Sequence, residues 1–252
     1  MIPGIYISAG GMIASEQRQS VYANNVANAS TAGYKALTPV QLGFYPLFQK
    51  AGESYHVYVP KTAPGGGVKV VETFPDLSLG PLKQTGNPLN IAIQGPGYIV
   101  LQTSSGERFT RAGDLTLDAE GYLSTPQGYR VLGMNGQPIQ IQGTEINISS
   151  DGNVTVDGVS AGQIRCVEFK NPERLTREGE NLYSASKEIQ QGMQPATKSS
   201  LRQGYLEWSN TKIPTEMIRV TLGLRAYEAN QRVISAIDES IGRLIEQVGL
   251  VG

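Results

Sequence analysis

Apolar residues near the end of the chain recur at alternating spacings of three and four residues. This spacing keeps them on one narrow stripe of an α-helix, the pattern of a helix that packs against another helix. Two positions on the stripe, Gln231 and Asp238, are polar. The pattern predicts a long amphipathic helix over Pro214–Val248, because Pro214 suits a first helical turn. The apolar members of the stripe are Met217, Val220, Leu224, Tyr227, Ile234, Ile241, Ile245 and Val248.

Residues 1–30 show a second helical pattern at the opposite end of the chain. Gly10 and Gly11 lower the intrinsic stability of this helix, so it needs a partner helix to persist in water. We expect the two terminal helices to pair with each other, and the same stripes can also pair with the ends of other copies. The N-terminal stripe is formed by Ile2, Ile5, Ala9, Met12 and Ile13.

Between the two helices the chain changes character twice. Residues 36–86 contain many prolines and the triple glycine Gly65–Gly67, which predicts an extended arm without regular periodicity. From residue 87 onwards, short segments of alternating apolar and polar residues predict strands. Asp-Gly and Asn-Gly pairs, which are strong hairpin signals, separate several of these segments. The turns are predicted at Asp118–Gly121, Asn135–Gly136, Asp151–Gly152 and Asp157–Gly158.

These patterns together predict an α+β protein. Paired long N- and C-terminal helices of the coiled-coil type accompany a central, mostly antiparallel β domain and the extended arm. The predicted domain limits are residues 1–35 and 205–252 for the helical domain, 36–86 for the arm and 87–204 for the β domain. A chain of 252 residues is long enough for one large domain or two small ones.

Composition argues against several classes of partner. The net charge is −1 and 17% of the residues are charged, so nucleic acid and anionic lipid, which clustered Lys and Arg hold, are not expected partners. No uninterrupted apolar run is long enough to span a bilayer, so no membrane insertion is expected. The N-terminal apolar run has no basic residue before it and is broken by Gly10 and Gly11, which argues against a cleaved secretory signal.

Candidate chemistry is sparse. His56 is the only histidine and Cys166 the only cysteine, so a two-histidine site and an intramolecular disulfide are both excluded. We expect Cys166 to behave as a small buried apolar residue. The segment Asp151–Asp157 spaces its oxygen atoms as a calcium loop does, but it lacks the loop's glycine and distal glutamate, so a hairpin is the better interpretation. The sequence predicts no catalytic residue, no cofactor and no metal.

Four segments resemble the signatures of the bacterial flagellar rod and hook protein family. They are Ala23–Lys35, which contains Asn24, Asn25 and Asn28, then Thr85–Tyr98, Phe109–Asp114 and Arg225–Glu239. They occur in the family's order and are distributed along essentially the whole chain. The length and the short central domain are similar to those of the proximal and distal rod proteins rather than to the hook protein, which carries an extra domain. Tyr227–Asn230 and Gly86–Asn90 favour the distal rod protein, and the short arm leaves the proximal one open.

The resemblance implies a structural subunit of the flagellar basal-body rod, the axial drive shaft that crosses the periplasm, and no enzymatic activity. It implies that the terminal helices form the inner layer of a helical polymer and the β domain its outer layer. Expected partners are other copies of the chain, neighbouring rod and hook proteins, and the flagellar type III export apparatus, which exports such proteins without a cleaved signal. The assembly interface is then expected on both apolar stripes and on the Asn-rich segment.

Physical reasoning agrees with that expectation. A head-to-tail interface that does not close on itself produces a helical filament. Helices that are weak alone gain stability when many copies bury their stripes together, so we expect the ends of the free monomer to be disordered. Gln231 and Asp238 are expected to set register, as polar a and d residues do in coiled coils. The alternative is that both face solvent.

Two other classes of function compete with this hypothesis. One is a secreted cell-wall-binding β-domain module dimerised by its helices, whose signature is an exposed aromatic platform. The other is an enzyme acting on peptidoglycan, whose signature is a carboxylate pair in a cleft. Glu178 and Glu180 are the nearest approach to such a pair, but their position beside Gly179 is more typical of exposed carboxylates in a turn. Only the assembly hypothesis explains both helices and the arm together.

Overall fold

The computed structural model describes residues 2–43 and 68–249 and confirms an α+β protein with a long helix at each end and a central antiparallel β region. Helix α1 spans Ile2–Ala27, the short helix α2 spans Lys187–Gln191 and helix α3 spans Ile213–Gly249. Two compact units are present. The helical unit contains the described parts of Met1–Ala27, Leu37–Pro75 and Lys212–Gly252, and the β unit contains Asn28–Ala36 and Asp76–Thr211. The predicted domain limits stay a prediction.

In the helical unit, α1 and α3 run antiparallel. Gly4 lies beside Ile237 at one end of the pair, and Asn25 lies beside Glu216 at the other. Strands β1 (Leu37–Gly43) and β2 (Val68–Pro75) form an antiparallel pair, and both contact α1. The helical unit is therefore two helices with a strand pair laid against one of them. His56 and Gly65–Gly67 of the predicted arm lie outside the described residues.

The β unit is built from short strands. They are β3 (Leu82–Gln84), β4 (Ile91–Gln94), β5 (Tyr98–Thr103), β6 (Gly106–Thr110), β7 (Thr116–Leu117), β8 (Leu123–Ser124), β9 (Arg130–Val131), β10 (Ile146–Ile148), β11 (Asn153–Val156), β12 (Val159–Gln163), β13 (Cys166–Phe169), β14 (Thr176–Gly179), β15 (Leu182–Ser184), β16 (Met193–Pro195), β17 (Ser200–Gln203) and β18 (Tyr205–Glu207). A 3₁₀ turn spans Pro172–Arg174. Strand β5 is central to the largest sheet, because it pairs antiparallel with β6, β9 and β13.

The predicted turns are confirmed in the β unit. Asp118–Gly121 joins β7 to β8, and Asp151–Gly152 joins β10 to β11. Asp157–Gly158 joins β11 to β12 with φ angles of 50° and 82°. A type I′ hairpin turn needs positive φ at both of its central residues, and an Asp-Gly pair adopts that conformation at low cost. Asn135–Gly136 closes a turn in which the Gly136 N–H donates to the Gly133 carbonyl at 2.9 Å.

The core of the β unit lies on both faces of β5. Because side chains alternate along a strand, Ile99 and Leu101 join one apolar cluster, while Tyr98 and Val100 join a second. The second cluster includes an edge-to-face contact between the rings of Tyr98 and Tyr183, whose centroids lie 5.5 Å apart. All four of these β5 side chains are buried. The β unit therefore has a well-packed interior of its own.

The sequence pattern missed β1 and β17. Both have their partners far away along the chain, β1 with β2 and β17 with β4. Strand β17, Ser-Leu-Arg-Gln, lacks the alternation of several apolar residues that makes a strand visible in sequence. Its place in a sheet is fixed by pairing with the apolar strand β4, a tertiary contact that no local pattern reveals.

Candidate assembly surface

The contact between α1 and α3 follows a heptad pattern on both helices. Buried and half-buried positions recur at alternating spacings of three and four residues, as in a coiled coil. On α1 they are Gly4, Ser8, Gly11, Ser15, Arg18, Tyr22 and Asn25, and on α3 they are Glu216, Val220, Gly223, Tyr227, Asn230, Ile234, Ile237 and Ile241. We refer to these residues as the intrachain seam. Its α1 side is mostly small or polar, so it differs from the apolar stripe that the sequence suggested.

Small residues bring the two backbones close together. A Cβ atom on Gly4 would lie 3.1 Å from Ile237 Cδ1, and one on Gly11 would lie 3.0 Å from the side-chain amide of Asn230. Both distances are shorter than ordinary van der Waals contact, so any larger residue forces the helices apart or displaces the neighbour. Glycine at these two positions therefore has a packing role that offsets its low helix propensity.

A buried polar cluster closes the other end of the seam. The Asn25 side chain is fully buried. Its amide nitrogen donates to the Leu37 carbonyl at 2.8 Å and to Glu216 Oε2 at 3.0 Å, and its oxygen accepts from the Leu37 N–H at 2.9 Å. Glu216 also accepts from Arg219 Nη1 at 2.7 Å. One asparagine thus fixes α1 to β1 and to α3, which gives it a structural role within this Asn-rich segment.

The two other asparagines named with Asn25 occupy different environments. Asn24 is an exposed residue of α1. Asn28 follows the helix and belongs to the β unit, where its side-chain oxygen accepts from Thr31 Oγ1 at 3.3 Å. The structure therefore does not bring the three asparagines together on one surface, and an assembly role for Asn24 and Asn28 stays a prediction.

The predicted apolar stripe of α3 divides between two faces. Val220, Tyr227, Ile234 and Ile241 are half-buried in the intrachain seam. The other described members are exposed, Met217 by 57%, Leu224 by 44% and Ile245 by 67%. Gln231 and Asp238 are exposed as well. We refer to Met217, Leu224, Gln231, Asp238 and Ile245 as the outer column, a heptad repeat that runs beside the seam. The side chain of Val248 lies outside the described residues.

The predicted stripe of α1 is also divided. Ile5, Ala9 and Met12 are half-buried, whereas Ile13 is 57% exposed. The side chain of Ile2 lies outside the described residues. Tyr6, which is not part of the predicted stripe, is more exposed still. Helix α1 therefore carries apolar surface that its own chain leaves uncovered.

A second exposed set of apolar residues on α3 was missed. Ile218, Leu222, Val233 and Leu244 are all exposed and lie outside the outer column. They belong to two series in which positions recur every eleven residues. One series is 218, 229 and 240, and the other is 222, 233 and 244. Such a repeat keeps side chains on one side of a nearly straight helix. The signal was present in the sequence, but it is weaker than the heptad stripe because Ala229 and Ser240 are small.

The described residues offer little to reactive chemistry. No group of three His, Cys, Asp or Glu side chains within them could hold a metal ion. Cys166 is half-buried and packs against the core, and its burial raises the pKa of the thiol to about 11. The thiol therefore stays protonated at neutral pH. Glu178 is paired with Arg108, and Glu180 accepts a hydrogen bond from the Tyr129 hydroxyl at 2.8 Å.

Two further observations bear on the competing functions. Among the described residues of the β unit, the large exposed apolar side chains are Leu79, Met134 and Val159, none of which is aromatic. This part of the chain therefore shows no aromatic platform of the kind that a glycan-binding module would present. Within residues 2–43 and 68–249, no helix combines the length and the apolar character needed to cross a bilayer.

Comparison with known proteins assigns all three parts of the chain to flagellar proteins. The family model for the flagella basal body rod protein matches residues 5–35. The model for the D1 domain of the flagellar hook proteins FlgE, FlgF and FlgG matches residues 92–156. The model for the C-terminal part of the FlgEFG rod proteins matches residues 202–247. These matches fall on α1, the β unit and α3 in turn.

Full-length relatives agree with these matches. The flagellar basal-body rod protein FlgG of Buchnera aphidicola subsp. Schizaphis graminum is 33% identical, over 97% of this chain and 99% of that protein. FlgG of Bacillus subtilis is 29% identical, over 97% of this chain and 98% of its own length. The flagellar hook-basal body complex protein FlhO of Bacillus subtilis is 29% identical over the whole of both chains. These relatives give no support to the cell-wall-binding alternative. The chain belongs to the family of bacterial flagellar basal-body rod proteins.

Proposed function

We propose that copies of this chain join through their terminal helices into a helical polymer that forms part of the basal-body rod. The observation that carries the proposal is the outer column. The column repeats every seven residues, and the subunit's own helix pairing leaves its apolar members Met217, Leu224 and Ile245 exposed. Exposed apolar side chains at heptad spacing on a helix are expected to be covered by another helix. A second copy of this chain supplies one, because its α1 also carries uncovered apolar surface at Tyr6 and Ile13, and a contact between two different surfaces does not close on itself.

The magnitudes favour a polymer over a stable dimer. Met217, Leu224 and Ile245 each keep about half of the side chain for a neighbour, and completing that burial contributes roughly 1 kcal/mol per side chain. One such contact barely offsets the entropy lost on association. In a helical assembly a copy touches several neighbours at once, so contacts that are too weak to hold a pair add up to hold a subunit in the polymer.

Gln231 and Asp238 gain a role within this proposal. Both lie in the outer column, so helix packing between copies would bring them to the interface. A polar side chain at such a position forms its hydrogen bonds in one alignment of the two helices and loses them in others. We therefore propose that these two residues set the register between copies, and the alternative that both face solvent predicts unchanged assembly on their replacement.

Family membership places the protein in the flagellar basal body, implies assembly with other rod and hook proteins, and implies a structural rather than enzymatic role. We extend the proposal to export by the flagellar type III apparatus without a cleaved signal, on the strength of the family resemblance. Terminal helices that order fully only on assembly would suit such export, because a chain with unstructured ends passes a narrow channel more easily.

A matched pair of substitutions tests the proposal. Leu224→Asp places a charge in the outer column, and Leu79→Asp makes the same change at an exposed leucine of the β unit. We expect Leu224→Asp to abolish polymers seen by electron microscopy and to abolish motility in cells, because a charge would be buried without a partner. Leu79→Asp should leave both intact. Rods built normally by Leu224→Asp subunits would remove the outer column as the polymer interface.

Amide hydrogen exchange tests the coupling between order and assembly. In the free monomer we expect α1 and α3 to be only weakly protected, so that they exchange faster than strands such as β5 and β6. In the polymer all of these segments should exchange slowly. Slow exchange of both helices in a verified monomer would contradict coupled ordering, although it would leave the outer column available as an interface.

A further inference from the structure

A buried carboxylate sits between two cations inside the β unit. Glu207, Lys35 and Arg111 have side-chain exposures of 1%, 1% and 3%. Lys35 Nζ lies 2.6 Å from Glu207 Oε1, and Arg111 Nη2 lies 2.8 Å from Oε2. Arg111 Nε also donates to Oε2, at 3.1 Å. We refer to these three residues as the buried triad.

Backbone groups supply further hydrogen bonds to each member of the triad. The Gly80 N–H donates to Glu207 Oε1 at 2.9 Å. Lys35 Nζ donates to the Ser78 carbonyl at 2.6 Å. Arg111 Nη1 donates to two carbonyls, at 3.0 Å and 2.8 Å, which belong to Gly95 and Gly97. Each charged group of the triad is thus hydrogen-bonded to both an oppositely charged partner and the backbone, which is the condition under which buried charges are tolerated.

The triad contains more positive groups than negative ones. Two cations share one anion, so Glu207 is the only carboxylate hydrogen-bonded to either cation among the described residues. Burial lowers the pKa of Lys35 and the charge of Arg111 lowers it further, whereas Glu207 opposes both effects. Without Glu207, two like charges would remain together in a dry site. Removing the one anion is therefore more damaging than removing either cation.

The triad also joins distant parts of the chain. Lys35 and Glu207 are 172 residues apart, and Arg111 and Glu207 are 96 apart. Lys35 lies in the first segment of the β unit and Glu207 in its last strand, β18. The anion is consequently the last member to appear when the chain is made, or threaded through a channel, from its N-terminus.

From this geometry we infer that folding of the β unit depends on Glu207 and is therefore delayed until nearly the whole chain is available. Until β18 arrives, Lys35 and Arg111 cannot be buried at low cost, so the segments that carry them stay open and accessible. This inference goes beyond the proposed function, because it concerns how one subunit folds and not how copies join. Assembly through the outer column holds or fails independently of it.

Ribosome-bound chains arrested before and well after Glu207 has left the ribosome test the delay, with limited proteolysis as the readout. We expect the wild-type β unit to be cleaved at the early arrest and resistant at the late one. A triple variant, K35M/R111M/E207L, removes every charge of the triad. It should already be resistant at the early arrest. The full-length triple variant must first be shown to fold. If it is then still cleaved at the early arrest, the delay is caused by the missing strand and not by the missing charge, and the inference is overturned.

A second measurement tests the energetic basis of the inference, namely that Glu207 matters more than either cation, and it does not depend on the folding of the triple variant. In the released full chain, Glu207→Gln should lower the folded-to-unfolded ratio of the β unit by at least about 100-fold, since it leaves two buried cations without an anion to balance their charge. Lys35→Met leaves a neutral Arg111–Glu207 pair and should cost far less. If the two variants lowered the folded-to-unfolded ratio equally, Glu207 would be only one hydrogen-bond acceptor among several. That result would overturn the inference that folding depends on Glu207.

Discussion

Strand β5 and helix α3 use their apolar side chains in opposite ways. On β5, Ile99, Val100 and Leu101 have no exposed surface. On α3, Met217 and Leu224 keep about half of their surface exposed, while the intrachain seam beside them is lined on α1 largely by small and polar residues. The β unit thus places its apolar side chains in its own interior, and the helical unit leaves a large share of them on its surface.

This difference assigns the two units different sources of stability. The β unit buries apolar area within one chain, so its fold needs no second copy. The helices are held within the subunit by close backbone approach, by the Asn25 cluster and by apolar side chains of α3 that are only half-buried. In the polymer proposed above, neighbouring copies would supply the rest of their stabilisation.

Replacing one leucine in each unit gives the largest contrast. We expect Leu101→Ala to lower the free energy of unfolding of the β unit by roughly 2–5 kcal/mol, since it opens a cavity in a packed core. Leu224→Ala should change the stability of the free subunit by less than about 0.5 kcal/mol, because the side chain is already half exposed. Urea unfolding of the monomer, followed by a signal from each unit, measures both.

The order should reverse in the polymer. There Leu224→Ala removes contacts made by every subunit, so the concentration needed for polymerisation should rise, whereas Leu101→Ala subunits that fold should polymerise normally. A loss of monomer stability from Leu224→Ala that equals the loss from Leu101→Ala would mean that the outer column is already covered within one chain.

Asn25→Ala tests what holds the helical unit together without neighbours. The change removes the hydrogen bonds that the Leu37 backbone and Glu216 Oε2 make with Asn25, at a site where the Asn25 side chain is fully buried. We expect a local loss of about 1–3 kcal/mol, seen as faster amide exchange in α1 and β1. Ser20→Ala, at an exposed position of the same helix, should have almost no effect. Equal exchange rates in the two variants would show that the polar cluster does not fix α1.

The parts of the fold that sequence predicted are those with local causes. The hairpin at Asp157–Gly158 was predictable because its two residues meet the φ requirement of the turn by themselves. The long helices were predictable because apolar residues spaced by three and four over many turns share one face only in a helix. Strand β17 was not predictable, because its neighbour β4 lies far away in sequence and its own residues carry no alternation.

The sites were harder to predict than the elements. Periodicity counts apolar side chains, so it found the α3 side of the seam and missed the α1 side, where Gly4 and Gly11 act by lacking a side chain. The buried triad was missed for a related reason. Lys35, Arg111 and Glu207 look like ordinary surface charges until the fold brings them together from segments up to 172 residues apart.

Two glycines offer the smallest and most local test of the comparison. Gly11 faces Asn230 across the seam, whereas a Cβ on Gly242, near the end of α3, would meet nothing within 4 Å. Gly11→Leu should weaken the helix pair by about 1–3 kcal/mol through overpacking. Gly242→Ala should stabilise α3 by up to about 1 kcal/mol through helix propensity. Circular dichroism during urea unfolding of the monomer measures both changes.

The effect of Gly242→Ala on polymerisation shows whether another copy packs closely against α3 at this position. If Gly242→Ala stabilises the free subunit and also favours polymerisation, the end of α3 has open space in both states and only helix propensity matters there. If it stabilises the free subunit but hinders polymerisation, another copy approaches α3 at Gly242 as closely as α3 approaches α1 at Gly11. The same residue type would then serve close packing within the chain at one position and between copies at the other. A loss of stability in the free subunit would contradict the open space around Gly242.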